Sequence, residues 1–309
     1  MIKKILLPTF FLFLLISKSF SNVNLSINTI INDIIITNHD IKKESEYLKK
    51  LNPDLSSLED QKIFNIAKDS LIKETIKKKE IIKLFDLEKN DEVIEDIIKD
   101  FYTKLNFKNK EEFIQSLKRD NGYQMNEIRQ KLKIEMLWNK LIYMKYKNQV
   151  KIDKDALIKR IESFKNENKT EYLIYEIVFQ KKQGQEINDL INEIKSSISK
   201  IGFKNAANIY SISETSKFGG EVGWVDINTF SKLIRDKLQK TTEGDISDTI
   251  QIGNNYFLIK VEKIRSEEIK INKETELAKL INFETNRQLN QFSKIYFDKS
   301  KINYSINEK

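Results

Sequence analysis

The chain contains no cysteine, one histidine, two prolines and eight glycines in 309 residues. Without cysteine there can be no disulfide, no thiolate zinc ligand, no cysteine nucleophile and no lipid-modified N-terminal cysteine. His39 alone cannot build a His-rich metal site or a Ser-His-Asp triad. No metal and no cofactor are therefore expected. Charge of a single sign is also missing: 54 basic and 46 acidic residues leave a formal charge of +8, and the lysines are interleaved with acids along most of the chain. That pattern is a solvated surface rather than a basic stripe, so no nucleic-acid partner is expected. Long apolar runs are absent after the first residues, and with a mean hydropathy of −0.51 no stable membrane insertion is expected.

The exception at the start has a recognisable form. Lys3-Lys4 is followed by the apolar run 5–16 and then by Ser17-Lys18-Ser19-Phe20-Ser21. A basic segment, an apolar segment of this length and small residues at Ser19 and Ser21 describe a secretory signal, residues 1–21, cleaved after Ser21. The run also contains Pro8 and Thr9 and falls short of the roughly 20 residues that a bilayer-spanning helix needs.

From residue 22 onward the chain divides by periodicity. Residues 25–31 and 34–36 are β-like and flank Asn32-Asp33, a hairpin signal. His39, in Thr37-Asn38-His39-Asp40, reads as a solvated first-turn residue of the helix that follows. Ser57 with Asp60 three residues on suggests a helix N-cap, and Phe64, Ala67, Leu71, Ile72 and Ile76 recur at helical spacing. Helices are expected over 91–105, 110–119, 124–149 and 153–164. Glycine then changes the reading: only Gly122 precedes residue 184, whereas seven glycines fall between 184 and 253. A turn-rich α+β unit is expected there, with a strand at 171–179, helices at 187–201, 203–209 and 230–238, and a hairpin of 249–252 with 256–264. Residues 277–296 are helical again, and the alternating run 302–306 follows. A helix with no neighbour of its own must pack elsewhere, so 274–309 is expected to return to the N-terminal helices.

The most specific stretch is Tyr210-Ser211-Ile212-Ser213-Glu214-Thr215-Ser216-Lys217-Phe218-Gly219-Gly220-Glu221-Val222-Gly223-Trp224. With its flanking elements in this order, and with Glu243-Gly244-Asp245 before the hairpin, it resembles the parvulin (PpiC, rotamase) type of peptidyl-prolyl isomerase. Gly219 and Gly220 are expected to permit the tight turn, Gly223 a close backbone approach, and Trp224 to plug the core. The layout of the rest resembles the SurA-like periplasmic chaperones, although with one parvulin domain where the best-known members have two. The resemblance implies an α+β, mostly helical fold: a SurA-like helical N-terminal domain (22–165), one inserted parvulin-like domain (170–265) and a C-terminal helix and strand (274–309) packing on the N-terminal domain. It also implies exposed joints near 165–169 and 266–273.

Where active parvulins place two histidines, this chain matches Glu176 on the first strand and Phe257 on the last. The acidic or cysteine position of the serine loop falls on Ser213. Phe230, Ile234 and Leu238 correspond to the apolar substrate-binding wall. No confident catalytic residue follows, and isomerase activity is expected to be weak or lost. A buried Glu176 would need partners such as Tyr175, Ser211 or Ser213, or a raised pKa. The resemblance implies a periplasmic chaperone for unfolded outer-membrane or periplasmic polypeptides. An active prolyl isomerase for secreted proteins is the alternative.

Overall fold

The computed structural model describes residues 25–89, 91–119, 122–162, 169–181, 184–267 and 272–309. The expected signal segment 1–21 lies outside them, as do most of the expected joints at 165–169 and 266–273.

Strands β1 (Ile27–Ile31) and β2 (Ile34–Thr37) pair antiparallel, and Asn32 takes a left-handed φ of 52° in the turn between them. Asn tolerates that region better than most residues. Thr37 then caps α1 (Asn38–Leu51) in a reciprocal capping box with Asp40, and His39 is an exposed first-turn residue. Ser57 is not a helix N-cap. Asn52 and Pro53 start a 3-10 turn, Pro53–Ser57, in which the Ser57 hydroxyl donates to the Asp54 carbonyl at 2.7 Å. Proline presets the backbone of that turn, its Leu55 is fully buried, and α2 (Asp60–Ile81) starts only after Glu59. Ile63, Ala67, Ile72, Ile76 and Ile81 give α2 its buried face. Next come α3 (Val93–Lys104), α4 (Lys110–Arg119), α5 (Met125–Tyr146) and α6 (Lys154–Glu162). Helix α5 is buried over Ile128, Ile134, Leu137, Trp138, Leu141 and Ile142, while Met144 emerges at its end.

The α+β unit follows as β3 (Lys169–Phe179), α7 (Ile187–Ile201), α8 (Phe203–Tyr210), β4 (Glu221–Asp226), α9 (Lys232–Leu238), β5 (Ile250–Ile252) and β6 (Asn255–Glu267). Its sheet has the order β4-β3-β6-β5 and every pairing is antiparallel. Side chains alternate across a strand, so the sheet has two apolar faces. Tyr175, Ile177 and Phe179 meet Leu190, Ile194 and Phe203 of α7 and α8 on one face. Tyr172 and Ile174 meet Ile227, Phe230, Leu238, Ile259 and Val261 on the other.

Helix α10 (Lys273–Lys301) carries the chain back to the helical body. Phe292 stacks on Tyr146 at 4.8 Å, Tyr296 packs on Trp138, and the Trp138 indole donates to Ser293 Oγ at 2.8 Å. Strand β7 (Ile306–Glu308) then pairs antiparallel with β1, closing a sheet of order β2-β1-β7 from both ends of the chain. The phenols of Tyr296 and Tyr304 donate to Glu80 of α2 at 2.8 and 2.7 Å. The fold is α+β and mostly helical, with the four-stranded unit inserted into a body built from both termini. The unit is docked against that body: Asn205 donates to the Asp54 carbonyl at 3.0 Å, Asn52 to Asn208 at 2.5 Å, and Arg160 to the carbonyls of Asn228 and Phe230.

Candidate parvulin-type site

The serine loop is laced onto β3 by backbone and hydroxyl groups. Ser211 Oγ accepts from the Val178 amide at 3.0 Å, the Ile212 amide donates to the Val178 carbonyl at 2.7 Å, and the Glu176 amide donates to the Gly220 carbonyl at 2.8 Å. Ser213 caps a 3-10 turn, Glu214–Phe218, that ends at Gly219 in the left-handed region. Gly220 has a φ of 83°, and a Cβ there would sit 2.3 Å from the Glu176 carbonyl oxygen. Only glycine meets both conditions.

Two motif residues act differently from expectation. Gly223 has open space where a Cβ would go, so it does not serve close packing. It takes a φ of 94° where the β3–β4 register shifts between Ile174 and Tyr175, and the bulge is what requires it. Trp224 does not plug the core. It is 38% exposed on edge strand β4, with the Arg265 guanidinium 4.2 Å from its ring centroid. Successive residues of a strand point to opposite faces, and past the bulge at Gly223 the Trp224 side chain falls on the outer side.

Glu176 is enclosed by this loop. Its Oε1 accepts from Ser213 Oγ at 2.7 Å and from Thr215 Oγ1 at 3.0 Å, and the two hydroxyls lie 3.0 Å apart. Desolvation pushes its carboxyl above the usual range against the opposing effect of the two hydroxyl donors. No cation pairs with it among the described residues. Ser213 was legible as a partner; Ser211 instead serves the Val178 amide, and Thr215 was missed. The alternation of hydroxyls in Ser213-Glu214-Thr215 was the available signal, since both point to one side of the turn.

In the β3–β6 register Ile259 lies opposite Glu176 and Phe257 opposite Val178, which puts Phe257 among the apolar residues that include Phe230, Ile234 and Leu238. Phe257 and Ile234 are half-buried, whereas Leu238 is fully buried and belongs to the core rather than to an open wall. Phe230 lies ahead of α9 rather than on it. Its ring meets Phe283 of α10 edge-on at 5.9 Å, so the helical body covers it.

Glu214 turns away from Glu176 and joins an ionic cluster between the two parts of the chain. Lys77 of α2 binds Glu135 of α5 at 2.7 Å and Glu214 at 2.9 Å, and Lys217 binds Glu135 at 2.9 Å. Burial disfavours the charges of Glu135 and Lys77, but the lysines hold the Glu135 carboxyl well below its usual range, and Glu135 and Glu214 hold Lys77 above its own. Among the described residues no group of three or more histidine, aspartate or glutamate side chains could hold a metal ion, and no helix is long and apolar enough to cross a membrane.

Residues 145–263 match the family model of the rotamase, or PPIC-type PPIASE, domain. Over those residues the chain is similar to the parvulin-type rotamase domains. Among solved structures it is similar to a PpiC-type peptidyl-prolyl cis-trans isomerase domain, with 19% identity over 32% of this chain and 94% of that one, at a TM-score of 0.29. The peptidylprolyl isomerase PrsA of Bacillus anthracis is 19% identical over 78% of this chain and 98% of its own, at 0.31. A SurA-like chaperone of Campylobacter jejuni is 16% identical over 92% and 99%, at 0.35. No curated protein matches the chain. In this rotamase-like unit the Glu176, Ser213 and Thr215 side chains form one hydrogen-bonded group beside an apolar face.

Proposed function

We propose that this chain is a SurA-like periplasmic chaperone, exported by residues 1–21, that holds unfolded outer-membrane polypeptides and carries a rotamase domain with little isomerase activity. In this reading 22–165 is the chaperone domain, 274–309 completes it, and 170–265 is the inserted rotamase domain. The observation that carries the reading is the site itself: Glu176 is desolvated and bonded only to hydroxyls, and Phe257 occupies the other position. Prolyl isomerisation breaks no covalent bond and must lower a barrier of about 18–20 kcal/mol for twisting an amide. A dry apolar wall and donors aimed at the twisted amide supply that stabilisation. Here Ser213 and Thr215 spend their hydroxyl hydrogens on Glu176, and Phe257 offers none. A body built from both chain ends is also larger than an isomerase site requires.

A second reading, an active isomerase, is favoured by one feature. A Glu176 carboxyl with a raised pKa holds its proton closer to neutrality and in that form is a donor beside the apolar face. A protease-coupled isomerisation assay separates the two. Weak or absent turnover that rises in the Glu176→His, Phe257→His double variant supports the chaperone reading. Robust turnover that survives Glu176→Ala and Ser213→Ala rejects it.

A further inference from the structure

Between the helical body and the rotamase domain lies a cleft of about 760 Å³. Helices α2, α5 and α10 form one wall; α7, α8 and the serine loop form the other. The volume falls within the range of ligand sites, which are mostly apolar, but this lining is rich in asparagine and serine. Seven lysines and four acids line it, so the cleft carries an excess of positive charge. Lys77, Lys217 and Lys294 are held in short ion pairs, and Lys62 lies 3.8 Å from Glu59. Lys73 of α2, Lys200 of α7 and Lys301 of α10 have no ion-pair partner among the described residues. Lys73 is exposed to the cleft, yet surrounding protein desolvates it. That desolvation, with repulsion from Lys217 and Lys77, outweighs Glu214 and Asp69 and holds its ammonium below the usual lysine range. Three uncompensated cations on three helices thus face one cavity.

We propose that this cleft binds a short extended polypeptide segment bearing aspartate or glutamate side chains. Lys73, Lys200 and Lys301 take its carboxylates. The side-chain amides of Asn65, Asn139, Asn208 and Asn290 both donate and accept, which matches the alternating N–H and C=O groups of an extended main chain. A nucleic-acid strand would call for stacking platforms along its length, and the cleft offers only the rings of Tyr210 and Phe297. Ser213 lies in the cleft wall and donates to Glu176, so a bound segment rests beside the rotamase site. The proposal rests on the chaperone reading, to which it adds the chemistry of the captured segment.

Fluorescence anisotropy on the full chain tests it, with a short unstructured peptide alternating glutamate and serine and a second peptide with glutamine in place of glutamate. The acidic peptide is expected to bind about tenfold more tightly at low salt, each exposed charge pair adding roughly two- to threefold. The triple variant Lys73→Gln, Lys200→Gln, Lys301→Gln removes that preference. Should the triple variant fold poorly by circular dichroism, Lys200→Gln and Lys301→Gln singly, both at exposed positions, reduce it by about two- to threefold each. Equal binding of the two peptides, or a preference that survives these variants, overturns the proposal, as does tighter binding of a single-stranded oligonucleotide. Suppression of aggregation, measured separately on the wild type, reports on the chaperone reading alone. A charge preference without suppression upholds the cleft and rejects that reading, and suppression without preference does the reverse.

Discussion

Glu176 and Gly220 meet in opposite ways at the centre of the candidate site. The Gly220 backbone accepts the Glu176 amide, and its lack of a Cβ leaves room for the Glu176 carbonyl. Gly220→Ala forces both a left-handed φ and a steric overlap, so it is expected to cost about 2–3 kcal/mol in thermal or denaturant unfolding. The Glu176 side chain carries a pH dependence of definite sign. Its folded pKa is raised, so it favours the folded state at low pH and loses that contribution as pH rises through the folded pKa. Glu176→Gln keeps an acceptor for Ser213 and Thr215 and removes the desolvated charge. Its unfolding midpoint should exceed that of the wild type at pH 7.5, with the gap closing towards pH 4; a gap that widens on acidification rejects this assignment.

At the scale of elements, the two ends of the chain are tied at Glu80. Desolvation raises its pKa, but Lys83, Tyr304 and Tyr296 together bring it below the usual carboxylate range. The stability that this gives is present above the unfolded pKa and is lost as pH falls through the folded one. Tyr304→Phe removes one donor to a carboxylate and should cost about 1–2 kcal/mol at pH 7, with the difference shrinking below pH 4 in pH-resolved unfolding. Helix and strand positions were legible because each has its own period: β3 and α7 were expected at 171–179 and 187–201 and form at Lys169–Phe179 and Ile187–Ile201. Boundaries set by competing local bonds were less so. The Pro53 turn absorbed Ser57, and the bulge at Gly223 turned Trp224 outward. Contacts between distant residues were illegible. Nothing local in Lys217 points to Glu135, 82 positions away, and Thr215 becomes a partner of Glu176 only once the loop folds onto β3.

For the whole molecule, the Lys77–Glu135–Lys217–Glu214 cluster joins the helical body to the loop that holds Glu176. Removing one partner of a buried ion pair leaves its neighbours uncompensated and costs about 3–5 kcal/mol where burial is complete. Glu135→Ala, whose side chain is 30% exposed, should cost about 2 kcal/mol in denaturant unfolding and speed hydrogen exchange across 213–220. Unchanged exchange there would mean that the loop does not depend on the body. Client capture is tested by light scattering from an unfolded outer-membrane β-barrel protein, diluted from denaturant with and without this chain. The chain should suppress scattering, and Glu176→Ala with Ser213→Ala should suppress it equally well. Scattering that proceeds at the same rate with the folded wild-type chain present would contradict client capture.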